Sequence, residues 1–282
     1  MTGDYRRFGV REAARVVRVP RAEDDKYSRG VVGIATGSER YPGAAVLGVE
    51  AAVRTGVGMV RYLGSERPSS LVLARRPEVV TALGRVQAWV VGSGTSAEDR
   101  TEEERRTLLE QLHSGVPVVL DAGALDLVGE VAGPVVVTPH ARELAGMFAR
   151  DGHEVEPREI SGDAGAWARR AAEHFGVCVL LKGSTTHVVS GGVAFTVSGS
   201  TPWLATAGSG DVLAGVLGAL LAGRAVDAES AGASLDDDDL AAVAAAAAVL
   251  HAQAGSVASR GGPLAALDIA EQLPGVVARL LS

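Results

Sequence analysis

The chain has 282 residues, enough for one large α/β domain or two small ones, and with 47% hydrophobic residues it can bury a sizeable core. Its 34 acidic residues against 27 basic ones leave a formal charge of −7, which excludes a general electrostatic surface for nucleic acid, so any polyanion must be met by a local site. A charged fraction of 22% excludes a disorder-like composition, and a single cysteine, Cys178, excludes an internal disulfide.

The N-terminal segment Met1 to Arg18 is Arg-rich and is not followed by the apolar core of a signal peptide. No apolar stretch approaches the roughly 20 residues needed to span a bilayer, so neither export nor a membrane partner is expected and the location reads as cytoplasmic. From residue 31 onward, apolar β-branched runs alternate with amphipathic or Ala-rich stretches. Strands are expected at 31–35, 59–63, 88–91, 116–120 and 135–138, with helices at 43–54, 102–112 and 141–149. Several strands are continuously apolar rather than alternating, which predicts burial on both faces: a mostly parallel central sheet in a three-layer α/β/α fold.

A polar connection at 151–165 then leads to a helix at 167–175 and a strand at 177–182 that holds Cys178 buried and reduced. Residues 185–190 and 193–198 read as a hairpin turning at Gly191-Gly192. After Ser209 the pattern is almost entirely helical, with a surface loop at 225–239 and an alanine-rich helix at 240–250 suited to close packing. No linker or repeat divides the chain, so residues 1–282 are expected to form one domain.

Chemistry is best sought where strands end and helices begin. Gly208-Ser209-Gly210-Asp211 opens an apolar helix, and its glycines let successive N–H groups converge on an anion such as a phosphate. A carboxylate beside a phosphate is awkward unless it has a task, and accepting a proton from an attacking hydroxyl is one. The plain alternative is an ordinary turn in which Asp211 complements the helix dipole. Lys182, one of only two lysines, ends a buried strand; its ammonium and the hydroxyls of Ser184, Thr185 and Thr186, beside Gly183, could hold nucleotide phosphates, or could form a simple strand end. Gly37 to Ala45 and Gly92-Ser93-Gly94-Thr95-Ser96 repeat the arrangement of strand, small-residue turn and helix start; each alone could be a tight turn, and four such turns on one sheet point to a long, phosphate-bearing ligand. His140 follows another strand, with Glu143 in the next helical turn. The other histidines, 113, 153, 174, 187 and 251, show no ligand spacing, so no zinc site is expected. The acidic run at 236–239 reads as a solvated helix entry.

In chain order these segments resemble the ADP-dependent NAD(P)H-hydrate dehydratase family, a branch of the ribokinase-like superfamily, over about residues 26–281. The resemblance rests on Lys26-Tyr27-Ser28-Arg29-Gly30, Gly43-Ala44-Ala45, the stretch from Ala52 to Gly58, Asp121-Ala122-Gly123-Ala124-Leu125, Thr138-Pro139-His140 with Glu143, Leu181-Lys182-Gly183, and the run from Ala205 to Gly215. It implies a ribokinase-like fold and repair of hydrated nicotinamide cofactors. ADP, or ATP, phosphorylates the added hydroxyl of (6S)-NAD(P)H hydrate, and loss of phosphate restores the ring. By the same resemblance Asp211 is the base, and the N–H groups of Gly208, Ser209 and Gly210 hold the migrating phosphoryl, with Mg²⁺ sharing its charge and no metal ligand assigned. Lys182 to Thr186 and Gly210 would take the adenine nucleotide, and Ala44, Gly92, Gly94, His140 and Asp211 the hydrated cofactor. A homo-oligomer, in many members a tetramer, is implied as well.

The match has departures: the family's glycine-proline-glycine turn reads Gly92-Ser93-Gly94, Ser96 replaces a later glycine, and Ala207 stands where glycine is usual. Its strand before the anion hole corresponds to 198–203. Many relatives carry an N-terminal domain that interconverts hydrate epimers; only thirty residues precede the first expected strand, so dehydratase activity alone is expected. Two other readings stay open. One is a ribokinase-like kinase of a small alcohol such as hydroxyethylthiazole or hydroxymethylpyrimidine, and the other a nucleotide-sensing module without chemistry.

Overall fold

A computed structural model of the chain describes residues 4–282. Two elements precede the first expected strand: a two-residue strand β1 (Arg6–Arg7) and a short helix α1 (Val10–Val16). Their sequence is charged, and what docks them is the buried Phe8, whose ring meets that of Phe195 at 4.9 Å, together with Ala13.

The alternating pattern then gives β2 (Val31–Ala35), α2 (Gly43–Thr55), β3 (Met59–Tyr62), α3 (Glu66–Arg75), β4 (Ala88–Val91), α4 (Glu102–Leu112), β5 (Val118–Leu120), β6 (Val135–Val137) and α5 (Ala141–Arg150). There follow α6 (Pro157–Gly162), α7 (Ala164–Phe175), β7 (Cys178–Leu181), β8 (Thr186–Ser190), β9 (Val193–Val197), α8 (Ser209–Ser230), α9 (Asp237–Ser259) and α10 (Ala266–Leu281), with 3-10 turns at Ala122–Glu130 and Pro202–Leu204. The nine strands form one sheet in the order β1-β9-β8-β7-β6-β5-β4-β2-β3. All pairings are parallel except those of β8, which runs against both β7 and β9.

Period-2 alternation sends successive side chains to opposite faces, and here both faces are covered. From β4, Ala88 and Val90 enter a core shared with α2, α8, α9 and α10, whereas Trp89 and Val91 enter a second core with α5, α7 and the 3-10 turn at Ala122–Glu130. From β7, Cys178 and Leu180 go one way, Val179 and Leu181 the other. Cys178 is a free, buried thiol whose pKa burial pushes up to about 12. The three-layer α/β/α arrangement is therefore the expected one.

Several boundaries differ for identifiable reasons. β5 starts at Val118 rather than 116 because Pro117 has no N–H to offer a ladder. The connection expected at 151–165 contains α6, started by Pro157 at its first turn and a Glu156/Glu159 capping box. The loop expected at 225–239 shrinks, since α8 runs to Ser230 and Asp236 caps α9, whose first turn holds Asp237, Asp238 and Asp239. Residues 198–201 are not strand. They lead into the turn at Pro202–Leu204.

Contrary to the expectation of no sufficiently apolar stretch, α8 and α9 are long and apolar enough to cross a membrane, with mean hydropathy of 1.4 and 1.6. Their apolar windows are 83% and 78% buried inside the protein, as suits core helices. The alanines of α9 lie against α1, α8 and α10 of the same chain, so its close-packing surface serves the protomer's own core.

One buried charge ties the periphery together. Glu50 of α2 has no exposed surface and accepts bonds from Arg54 Nε (2.5 Å), Arg76 Nε (2.5 Å) and Nη2 (2.6 Å), and Arg75 Nη2 (3.3 Å). Burial would raise its pKa, but the bonds from Arg76, Arg54 and Arg75 outweigh that and hold it at about 2. Its folded pKa lies below the ordinary 4.5, so the stability it contributes is present above about pH 4.5 and is lost as pH falls toward 2. Glu50→Gln removes the buried counter-charge that three guanidiniums share, leaving Arg75 only Glu271 and Arg76 only Glu78, and is expected to cost roughly 3–5 kcal/mol at pH 7. The loss should be much smaller at pH 3, as read from denaturant melts at the two pH values.

Candidate active site at the carboxyl edge of the sheet

The parallel strands β2, β4, β5, β6 and β7 end on one edge, where open α/β sheets bind their ligands. Four consecutive strand ends are laced by one carboxylate. Asp121, 2% exposed after β5, accepts from Ser93 Oγ after β4 (2.8 Å), Thr138 Oγ1 after β6 (2.7 Å) and Lys182 Nζ after β7 (2.9 Å). The next residue, Ala122, has φ +48°, a left-handed conformation that alanine rarely adopts. At Ser93, where the resemblance leads one to expect proline, the hydroxyl supplies a bond to Asp121 that proline could not.

Lys182 also lies 3.5 Å from Glu143 Oε2. Burial opposes its charge, but Asp121 and Glu143 outweigh burial and hold the ammonium pKa above its ordinary value. His140 caps α5: its Nδ1 accepts from Glu143 N (3.1 Å), while Glu143 Oε2 accepts from His140 N (2.8 Å). With Nδ1 accepting, the hydrogen-bond network assigns the neutral imidazole proton to Nε2, on a side chain that is 51% exposed.

The start of α8 faces this group. Gly208, at φ +86°, is its N-cap, and a Cβ there would stand 2.5 Å from Leu47 Cδ1 and 2.9 Å from the Ala266 Cβ, so both conformation and space require glycine. Among the described residues, the N–H groups of Gly208, Gly210 and Asp211 have no protein acceptor, whereas that of Ser209 turns back to the Thr206 carbonyl at 3.3 Å. The amide set is thus shifted from the expected one: Asp211 joins it, and Ser209 is partly withdrawn. Asp211 Oδ2 lies 3.8 Å from the point a Gly208 Cβ would occupy, so the carboxylate curls over the helix start. Lys182 Nζ lies 3.6 Å from the corresponding point at Gly210. Burial raises the Asp211 pKa to about 6, Asp121 adds to the rise, and Lys182 opposes it.

Behind the helix start, Ser209 Oγ meets His251 Nε2 at 3.1 Å. His251 is buried on α9; burial lowers its pKa to about 4, the Ser209 backbone resists and the Lys182 charge adds to the fall, so it is neutral at physiological pH. Forty-two residues separate the partners, and nothing in the local sequence pattern signals the contact.

The other expected residues occupy the same edge in different ways. A Cβ on Gly94 would stand 2.4 Å from the Ala44 Cβ, and one on Gly92 2.1 Å from the Asp121 carbonyl oxygen, so these glycines let the turns after β2, β4 and β5 touch. Ala44 is buried in the first turn of α2. Gly183 and Ser184 are exposed and Thr185 and Thr186 half-buried in the turn from β7 to β8; among the described residues the three hydroxyls make no side-chain hydrogen bond. Thr36 after β2 is buried, and its hydroxyl has no partner among the described residues. Composition and spacing did not single out Asp121, Thr138, Thr36, His251 or the cleft of about 570 Å³ lined by Pro202, Trp203, Ala205, Thr206, Pro263 and Leu264. Asp121, Thr36 and Thr138 carried a usable signal, a polar residue directly after an apolar strand.

A family model described as NAD(P)H-hydrate dehydratase matches residues 32–274. The chain is 43% identical over 227 residues to the bifunctional NAD(P)H-hydrate repair enzyme Nnr of Mycobacterium leprae, covering 76% of this chain and 45% of that protein. It therefore spans about half the length of the bifunctional relatives it matches. It is 31% identical to the ADP-dependent (S)-NAD(P)H-hydrate dehydratase of Xanthomonas campestris over 99% of each chain. Its fold superposes on the ADP/ATP-dependent NAD(P)H-hydrate dehydratase of Bacillus subtilis, co-crystallised with ATP/Mg²⁺, with a TM-score of 0.82 at 23% identity over 98% of this chain and 99% of that one.

The raised pKa of Asp211 has a thermodynamic consequence. Its folded value lies above its unfolded one, so ionising it weakens the fold as pH rises from about 4 through 6. Each tenfold change in proton affinity between the folded and unfolded chain is worth about 1.4 kcal/mol, so Asp211→Asn is expected to stabilise the protein by roughly 1–3 kcal/mol at pH 7.5 and far less at pH 4. Denaturant melts at the two pH values measure both.

Proposed function

The chain belongs to the NAD(P)H-hydrate dehydratase family, and on that footing we propose that it catalyses ADP-dependent dehydration of (6S)-NAD(P)H hydrate to NAD(P)H, with AMP and phosphate as the other products. The observation that carries the reading is a largely buried carboxylate, Asp211, curled over amides free of protein acceptors and flanked by the Lys182 ammonium.

Hydroxide is a poor leaving group, so the hydrate is stable until its hydroxyl is converted to a phosphate ester. In the first step the hydroxyl oxygen attacks the terminal phosphorus of ADP, its proton passes to Asp211, and the bond to the bridging oxygen breaks to release AMP. In the second, the ring nitrogen lone pair expels phosphate, and the neighbouring ring carbon gives up a proton to the released phosphate or to water, the C–H electrons completing the ring double bond. Asp211 is suited to the first step because its pKa, about 6, leaves it ionised at neutral pH yet a better proton acceptor than an exposed aspartate. The amides of Gly208, Gly210 and Asp211 would stabilise the charge on the phosphoryl in flight.

Lys182, Gly183, Ser184, Thr185, Thr186 and Gly210 would hold the phosphates of the nucleotide, and the apolar cleft at Trp203 and Leu264 suits its base. Ala44, the turn at Gly92 and Gly94, and the Nε2–H of His140 would meet the hydrated cofactor. The carboxylates of Glu143 and Asp211 near Lys182 suit a hard cation, so Mg²⁺ would fit, with Glu143 holding it directly and Asp211 through water. Once bound, Mg²⁺ would neutralise charge on the donor phosphates. His251 acts as a positioning residue: neutral and buried, it fixes Ser209 and with it the first turn of α8. A cytoplasmic homo-oligomer, with a tetramer as the specific expectation, completes the proposal.

With Mg²⁺ and ADP, purified protein should convert the S-hydrate to NAD(P)H, followed by the absorbance of the reduced ring. Asp211→Asn should lower kcat by at least about 100-fold while ADP still binds. In the wild type, kcat/KM should rise with pH through about 6 as Asp211 ionises. An unchanged rate in the variant overturns the role of the base. Ser209→Ala and His251→Leu should each lower kcat about tenfold with little change in KM for ADP, and the double variant should be no worse than either. Additive losses would show that the pair does not act as a unit.

A further inference from the structure

We propose that Asp151, His153 and His174 form a binding site for a divalent transition metal of the zinc class, at the edge of the sheet opposite the candidate active site. The spacing of these histidines in the sequence suggests nothing. Folding brings them together: one ligand atom from each of the three residues lies within 4.8 Å of the other two, and all three side chains are open to solvent.

Two helix ends build the cluster. α5 stops at Arg150, and the amides of Asp151, Gly152 and His153 fold back onto the carbonyls of Phe148 (3.1 Å), Ala149 (3.1 Å) and Phe148 again (2.8 Å). Gly152 at φ +80° makes the turn that returns His153 toward Asp151. α7 ends just after His174, with Gly176 at φ +65° as its left-handed cap. The His174 ring is held by Phe175 (centroids 4.7 Å apart), Phe148 (5.4 Å) and His153 (5.2 Å), while its Nε2 touches Asp151 Oδ2.

Three considerations point to a transition metal. Two imidazoles with one carboxylate are the donor set of zinc, nickel and copper, whereas magnesium and calcium prefer oxygen alone. Metal–ligand bonds of about 2.1 Å put tetrahedral ligands roughly 3.4 Å apart, so modest rotations of exposed side chains close the present spacing, and the open side admits water as a fourth ligand. The carboxyl ends of α5 and α7 converge here, and the partial negative charge of each favours a cation. A hydrogen bond between Asp151 and His174 accounts for two of the residues. It does not account for His153 presenting a second imidazole edge-on to the first.

The metal would clip the end of α5 to the end of α7. In calorimetry of the untagged, chelator-treated protein, Zn²⁺ should bind with one saturable site per chain and raise Tm, whereas Mg²⁺ at the same concentration should not compete. His153→Ala and His174→Ala, both surface changes, should each weaken zinc binding at least tenfold with an unchanged circular dichroism spectrum. No saturable binding below about 100 μM Zn²⁺ would overturn the proposal. So would undiminished binding in both variants, which would put the zinc on the carboxylates around Lys182.

Discussion

The bond between Asp121 and Lys182 is the contact on which the carboxyl edge depends. A carboxylate buried to this degree would be prohibitively costly alone, and it is held by three donors, each from the end of a different strand. Because its oxygens are already engaged, Asp121 is a fixed point and not a mobile ligand. The strands β4 to β7 thus share one electrostatic anchor. Everything that faces α8, from the turn at Ser93 to the ammonium of Lys182, takes its position from it.

The opposite wall shows what such a site costs. At the start of α8 one carboxylate is kept less acidic than usual, one imidazole is kept neutral, and amides are left without protein acceptors. The raised Asp211 pKa and the open amides weaken the fold at neutral pH, and both suit the proposed transfer of a phosphoryl group to a hydroxyl. The surrounding architecture offsets the cost with long apolar helices. α8 and α9 are hydrophobic on nearly every side because they lie between the sheet and an outer layer of helices, so a composition that could serve a membrane span here serves a doubly covered core.

How much of this could be read from the sequence depends on the range of the interaction. β2 and β4 were legible to the residue because buried parallel strands are continuous apolar runs, and the Asp211 loop because its glycines precede an apolar helix directly. α3 and α6 were not, since α3 buries only Pro68 and Val72 and α6 only Ile160, leaving little periodicity to detect. Asp121 was visible as part of a motif, but its task was not, because its partners lie 28, 17 and 61 residues away. The pairs Ser209 with His251 and His153 with His174 were invisible for the same reason. Polar contacts between distant segments leave no periodic trace.

The charge balance at the edge constrains how a nucleotide can be received. Lys182 reads from sequence as a free cation for phosphates, yet in the fold it is already matched by Asp121 at 2.9 Å and approached by Glu143 at 3.5 Å, with the Asp211 carboxylate close by. Three carboxylates around one ammonium repel a polyphosphate. The amides at the start of α8 supply partial positive charge, but about half an elementary charge from a helix end cannot balance that excess. The proposed binding of a nucleotide diphosphate at this edge would therefore require a cation to arrive with it. Beyond burial, the same negative field helps hold the Asp211 pKa at about 6, and a cation arriving with the nucleotide would lower it, so binding of the proposed donor and the basicity of this carboxylate are linked through one set of side chains.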